Sequence, residues 1–210
     1  MKKTYFVTGI GTEVGKTVAA AIVTETLKAD YWKPIQAGDL DKSDTHKVKY
    51  LVSNKNTVFH PNAFQLNTPM SPHAAAEIDG VKIEAQKIER PNTENNLVIE
   101  GAGGILVPLN DTETILDLIR PDDEVILVSR HYLGSINHTL LSVEMLKQRN
   151  LKIAGIIFNG DKHPSTEDII LKISGLTCIG RIENEPYFDE NVVKEYAERF
   201  RQNEYFRSEK

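Results

Sequence analysis

Gly9-Ile10-Gly11-Thr12-Glu13-Val14-Gly15-Lys16-Thr17 stands between an apolar run at residues 4–8 and an alanine-rich stretch that opens at Lys16. Glycines let backbone N–H groups turn inward around phosphate oxygens, and a following helix aims its N-terminus at the same anion. A lysine at the start of that helix reaches the outer phosphates as a point charge, and the next hydroxyl is a normal Mg²⁺ ligand. The usual pattern has glycine six residues before the lysine; this chain has Ile10 there, with Gly9 and Gly11 on either side. A strand before the loop and a helix after it are the context its mechanism requires, and both are expected here.

Outward from this loop the same strand–loop–helix pattern recurs. Short apolar or β-branched runs at 4–8, 31–35, 97–100, 125–129, 153–158 and 177–182 suit strands buried on both faces of a parallel sheet. Periodic stretches at 16–28, 45–52, 71–78, 115–119, 136–148, 165–173 and 190–200 predict helices. Residues 54–65 show neither pattern and are expected to form an extended excursion. The alternation predicts βαβ units with right-handed crossovers. The expected fold is therefore α/β: a P-loop NTPase-like three-layer sandwich, its mostly parallel central sheet covered by helices on both faces. No repeat, low-complexity tract or linker interrupts the chain, so residues 1–210 are expected to form one domain.

Composition narrows the function classes. Hydrophobic residues make up 40% and charged residues 26%, ordinary values for a chain with a real core. A net charge of −5 provides no broad positive field for nucleic acid. No apolar run approaches the ~20 residues of a membrane span, and the one after Met1-Lys2-Lys3 is too short for a signal peptide. The expected setting is cytoplasmic, with no nucleic-acid or membrane partner. Cys178, the single cysteine, cannot form an intramolecular disulfide and is expected to be a buried thiol. The six histidines show no paired metal-ligand spacing, and none is read as a ligand. Tyr196 and Phe200 are expected to pack onto the sheet, and the mixed-sign tail at 201–210 to be solvated.

Ligands of open parallel sheets gather at the carboxyl ends of the strands. The segments at 9–17, 33–44, 101–104, 131–137 and 159–160 should therefore meet. Lys33 closes the second candidate strand and is held extended by Pro34. A second cation beside Lys16 suits a transfer that brings two anions together. Asp44 and Glu100 follow different strands, and Mg²⁺ takes hard oxygens from one or two carboxylates, phosphates and water. Ser43-Asp44 is also a helix N-cap signal, so Asp44 can serve both roles. Glu100 ends an apolar strand, where an acid has little structural excuse. The glycines that follow let backbone approach a ligand closely.

The ordered set of motifs resembles the dethiobiotin synthetase family. It comprises Phe6-Val7-Thr8-Gly9 with Thr12-Glu13-Val14-Gly15-Lys16-Thr17, Trp32-Lys33-Pro34-Ile35, Ser43-Asp44, Ser71-Pro72-His73 and Val98-Ile99-Glu100-Gly101-Ala102-Gly103-Gly104 with Pro108-Leu109. Leu133-Gly134-Ser135-Ile136-Asn137-His138 and Ala154-Gly155-Ile156-Ile157-Phe158-Asn159 follow, and beyond Asn159 the resemblance thins. It implies ATP-dependent ring closure of 7,8-diaminopelargonate with CO₂ or bicarbonate through a carbamate that takes the γ-phosphoryl group, in biotin biosynthesis. By the same resemblance Lys33, Lys16 and Thr12 are catalytic, and Thr17, Asp44 and Glu100 hold Mg²⁺. ATP is expected at Glu13, Val14, Gly15, Lys16, Thr17, Val18, Asp44, Glu100, Gly101, Ala102, Gly103, Asn159 and Gly160, and at Glu183, Asn184 and Glu185 after the sixth strand. The diamine is expected at Thr12, Lys33 and Ala37, with Gly134, Ser135, Ile136 and Asn137 supplied by the neighbouring subunit of a homodimer.

Ser135 is read as the N-cap of the helix after the fourth strand, whose free N–H groups would receive the substrate carboxylate. Two positions depart from the family. Ala37 stands where a serine or threonine usually contacts the diamine, and Glu183-Asn184-Glu185 does not follow the usual pattern. Two other classes are disfavoured. A partition-type ATPase carries a further lysine five residues before the loop lysine, where this chain has Gly11. A GTPase reads guanine with Asn-Lys-x-Asp, against Asn159-Gly160-Asp161-Lys162 here.

Overall fold

The computed structural model describes residues 2–207. The chain runs β1 (Thr4–Gly9), α1 (Lys16–Leu27), β2 (Asp30–Trp32), β3 (Ile35–Ala37), α2 (Asp44–Leu51), β4 (Phe59–His60), β5 (Phe64–Leu66) and α3 (Pro72–Ile78). It continues through β6 (Leu97–Gly104), β7 (Glu124–Arg130), α4 (Ser135–Gln148), β8 (Lys152–Asn159), α5 (Pro164–Ser174), β9 (Cys178–Ile182), α6 (Glu190–Gln202) and α7 (Glu204–Arg207). Short 3₁₀ turns lie at Leu40–Lys42, Ala85–Lys87 and Ile115–Leu118.

Continuous apolar runs become central strands because side chains alternate across the pleat and both faces are covered. On β1, Tyr5 and Val7 enter one core cluster and Phe6 enters the other. β6 divides the same way, with Val98 on one side and Leu97 and Ile99 on the other. Among the described residues the main sheet has seven strands in the order β4-β2-β6-β1-β7-β8-β9, every pair parallel. α1 packs with α2 and α6, and α4 with α5, β7 and β8. The expected α/β architecture is observed. No helix among the described residues is long and apolar enough to cross a membrane.

The structure revises several local expectations. Residues 31–35 are not one strand: β2 ends at Trp32, and β3 pairs instead with β5 in a separate two-stranded sheet. Pro34 has no N–H to continue a ladder, and its carbonyl accepts from Ala63 and Phe64. That turn carries Lys33 out of the sheet. The excursion at 54–65 supplies edge strand β4 and the start of β5. Residues 101–104 are the continuation of β6, with Gly104 paired to Gly9, rather than a turn after the strand. Gly134, not Ser135, is the N-cap of α4, at φ 105°. Ser135 is the first helical residue and is buried.

The tail is better anchored than its charges suggest. Arg201 donates to the carbonyls of Glu25 and Thr26, and Phe206 of α7 stacks on Phe200. Residues 208–210 lie outside the described residues. Tyr196 and Phe200 are buried, as their spacing predicts. Cys178 is only half-buried; burial raises the pKa of its thiol.

Candidate active site

The phosphate loop is built by the join of β1 to α1. Ile10, the departure from the usual pattern, is buried in the core and donates its N–H to Val128 O at 3.1 Å. Gly15 caps α1 at φ 92°, and a Cβ there would lie 2.1 Å from Asn159 Nδ2. That amide donates to Val14 O at 2.9 Å and so ties the loop to the end of β8. Lys16 Nζ donates to Gly11 O at 2.7 Å. Burial first, and the positive charge of Lys33 second, bring the Lys16 pKa down to about 8.

That depression predicts a proton linkage. The negative charge of a triphosphate at the loop opposes both the burial and the Lys33 repulsion and raises the value toward that of an ordinary lysine, so binding takes up a proton wherever free Lys16 has lost one. Uptake on Mg-ATP binding is expected to be ~0.1 proton at pH 7 and ~0.9 at pH 9. Calorimetry in buffers of different ionisation heat measures it, and equal uptake at the two pH values would refute the linkage.

Around Lys33 the exit of β2, strand β6 and the start of α2 bring acid and base together. Lys33 is buried, and its Nζ lies 2.7 Å from Asp44 Oδ2 and 2.9 Å from Glu100 Oε1 while donating to Gly101 O at 3.3 Å. Burial opposes its charge, but the Glu100 and Asp44 carboxylates outweigh burial and hold its pKa above the ordinary lysine value. Burial likewise opposes ionisation of Asp44, and the Lys33 charge reverses the balance, lowering that pKa. The Thr17 hydroxyl donates to the same Glu100 Oε1 at 2.9 Å, and the Tyr31 hydroxyl donates to Oε2 at 2.8 Å.

Asp44 owes its position to the start of α2. Ser43 Oγ accepts from His46 N at 3.3 Å in a capping box, which leaves the next residue, Asp44, facing the cleft. Its backbone N–H donates to buried Gln36 Oε1 at 3.1 Å, and Lys47 Nζ donates to its Oδ1 at 3.2 Å. The cap signal and the site position therefore coincide.

A cleft of about 740 Å³ joins these groups. Thr12, Glu13, Gly15, Lys16, Thr17 and Val18 line it from the loop and the start of α1, Lys33 from the exit of β2, Ala37 from β3, Asp44 from α2, and Glu100, Ala102 and Gly103 from β6. Val14 and Gly101 do not line it; their carbonyls accept from Asn159 and Lys33. Sequence reading missed Tyr31, which looked like one more apolar strand residue. It also passed over Gln36, Lys47, Pro69 and Met70, and gave Ser71 and Pro72 a place in a motif but no role at the site, whose wall they form. Gln36 directly follows the Trp32-Lys33-Pro34-Ile35 motif, and that adjacency is the signal that points to it.

Beyond Asn159, Gly160 N donates to Ile182 O at 2.8 Å, and Asn184 Oδ1 is the nearest atom to a Cβ built on Gly160. Tyr196 Oη accepts from Glu183 N at 3.1 Å and donates to Glu185 Oε1 at 2.5 Å, so α6 holds this loop beside the end of β8. Gly134, Ser135, Ile136 and Asn137 do not reach the cleft in their own chain. They line a separate groove with His131 and His163.

Thr17, Asp44 and Glu100 come together around Lys33, the first donating to Glu100 and the two acids pairing with the lysine. No cluster of three or more His, Cys, Asp or Glu able to hold a metal occurs among the described residues. A site here would thus use two carboxylates, a hydroxyl and ligand oxygens.

The fold is similar to that of the septum site-determining protein MinD of Pyrococcus horikoshii complexed with Mg-ADP, at a TM-score of 0.59 and 14% identity over 99% of this chain and 92% of that one. The cell division ATPase MinD of Pyrococcus furiosus gives 0.61 and 15%, covering 94% and 98%. At such identity the likeness shows the fold alone. Residues 3–192 match the family model described as an AAA domain. The ATP-dependent dethiobiotin synthetase BioD of Christiangramia forsetii is 70% identical over 96% of this chain and 97% of that protein. The protein of the same name from Cytophaga hutchinsonii is 49% identical over 94% and 96%. The likeness therefore continues well past Asn159, and identity at this level along nearly the whole of both chains means that this chain belongs to the ATP-dependent dethiobiotin synthetase family.

Proposed function

We propose that this chain, acting as one unit over its length, converts 7,8-diaminopelargonate, CO₂ and ATP into dethiobiotin, ADP and phosphate. The observation that carries the reading is Lys33: a buried ammonium from a neighbouring strand exit, paired with the same carboxylate that the loop threonine touches. One amine adds to CO₂ and loses a proton, forming a carbamate. A carbamate oxygen attacks the γ-phosphorus as the bond to ADP breaks, and the second amine then closes the urea as phosphate leaves.

The phosphoryl transfer sets anion against anion, so the main work of the site is charge placement. The loop N–H groups and Lys16 hold the outer phosphates. Lys33, kept charged by Glu100 and Asp44, lies where carbamate and γ-phosphate approach each other. Thr17, Asp44 and Glu100 offer the hard oxygens that suit Mg²⁺, which when bound neutralises phosphate charge. Asn159, Gly160, Glu183, Asn184 and Glu185 surround the base end. Ala37 offers the diamine no hydroxyl at that position. Gln36 cannot replace it, since its amide is already engaged by Gly38 O and Asp44 N.

The substrate carboxylate sits far from the two amines on an apolar chain. A second copy would bring Gly134, Ser135, Ile136 and Asn137 to this cleft. Exposed Leu133, Ile136 and Leu141 of the α4 region, with Leu106 nearby in the fold, form an apolar face suited to it. The working unit is therefore read as a homodimer with shared sites. The MinD-like fold raises a partition-type ATPase as the rival, but Gly11 stands where that class needs lysine. Incubation with Mg-ATP, ¹³C-bicarbonate and 7,8-diaminopelargonate should yield labelled cyclic urea and equimolar ADP by mass spectrometry. ADP release without the urea would overturn the assignment.

A further inference from the structure

Glu100 is held by more groups than phosphate transfer requires. It is 1% exposed, yet its two oxygens have distinct partners: Oε1 receives Thr17 and Lys33, and Oε2 receives Tyr31. Tyr31 lies on β2, which runs parallel to β6 with Tyr31 opposite Val98. Val98 and Glu100 share a face because they are two apart on one strand. A long side chain at 31 leaning toward the strand ends thus meets the carboxylate. A phenylalanine would fill the same apolar layer, where Phe59 packs against the Tyr31 ring. The hydroxyl is 0% exposed and is tolerated there because it is hydrogen-bonded.

The last torsion of a glutamate is broad, so an unanchored carboxyl would turn and offer either oxygen or both. We infer that Tyr31 is a positioning residue for Glu100: its hydroxyl holds Oε2, keeps Oε1, where the cleft-lining Thr17 and Lys33 donate, as the oxygen turned to the cleft, and thereby selects Mg²⁺ over Ca²⁺. Mg²⁺ is small and demands near-ideal octahedral geometry, whereas Ca²⁺ readily takes a carboxylate through both oxygens. A carboxylate restricted to one oxygen suits the first ion and handicaps the second. This inference rests on the assignment of Glu100 to the metal made above.

The test replaces Tyr31→Phe and measures Mn²⁺ bound in the presence of a non-hydrolysable ATP analogue by electron paramagnetic resonance. Mg²⁺ and Ca²⁺ are then titrated as competitors. The expected result is that the Mg²⁺ needed for half-displacement rises about tenfold, in line with a lost bond to a charged group, while the Ca²⁺ requirement changes less. A merely structural role would shift both ions together or neither, and either pattern overturns the inference. Glu100→Gln separates the two layers of argument. If it leaves Mn²⁺ binding unchanged, the metal assignment itself fails. If it weakens binding while Tyr31→Phe preserves the Mg²⁺/Ca²⁺ ratio, only the positioning role fails. Should Tyr31→Phe not fold, infrared difference spectra of the wild-type protein, assigned with Glu100→Gln, provide the decision. A monodentate Glu100 carboxylate with Mg²⁺ is expected, and a bidentate one would contradict the idea.

Discussion

Lys33→Ala is expected to lower turnover by roughly 10²–10³-fold, the cost of removing one preorganised charge from a transition state. Ground-state binding of Mg-ATP should change far less if, as proposed, Lys33 meets the phosphate mainly as the charge is transferred. The structure adds a second consequence. The lysine neutralises Asp44 and Glu100 at 2.7 and 2.9 Å, and its loss leaves two acids beside each other in a largely buried site. Breaking a buried pair from one side costs about 3–5 kcal/mol. The variant should therefore melt well below wild type, and Mg²⁺ with nucleotide should restore more stability to it than to the parent. Measured ADP release, calorimetric nucleotide binding and melting with and without Mg²⁺ separate these effects. Near-normal turnover would remove Lys33 from the catalytic groups.

Mixing Lys33→Ala subunits with Gly134→Trp subunits should restore activity to two homodimers that are each nearly inactive. Gly134 caps α4 at φ 105°, so any side chain there is strained, and tryptophan would also obstruct the first turn of the helix. If each site combines Lys33 of one subunit with Gly134 of the other, a mixed dimer has one doubly altered site and one wholly native site. Random exchange makes half the dimers mixed, so about a quarter of the wild-type rate per subunit should return. Absence of recovery in verified, folded mixed dimers, or full activity in a monomer by sedimentation, would exclude the shared site.

Much of this site could be read before any coordinates because its chemistry is local. The loop from Gly9 to Thr17 needs glycines, a lysine and a hydroxyl in one continuous stretch, and a strand and helix on either side. Continuous apolar runs at β1, β6, β7 and β8 announced strands buried on both faces; strand ends then pointed to Lys33 and Asn159, while Glu100 stood out as an acid closing the apolar part of a strand that continues to Gly104. Ser43 marked the start of α2 through its own side chain. Ser135 misled for the same local reason: it looks like a cap, but the backbone turns at Gly134 and the serine enters the buried first turn. The break after Trp32 was hidden inside an apolar run, since Pro34 ends a ladder only once its would-be neighbour strand is known.

Chain composition and short-range pattern thus determined the fold class, the phosphate loop and the family resemblance, all of which depend on residues close in sequence. Strand order, the separate β3–β5 pairing and the placement of residues 134–137 outside their own cleft depended on long-range packing. So did the partners of Glu100. Tyr31 and Glu100 are 69 residues apart, and Thr17 and Glu100 are 83 apart. No local preference encodes such a meeting; it exists because parallel strands β2, β6 and β1 lie side by side and bring their carboxyl ends to one edge.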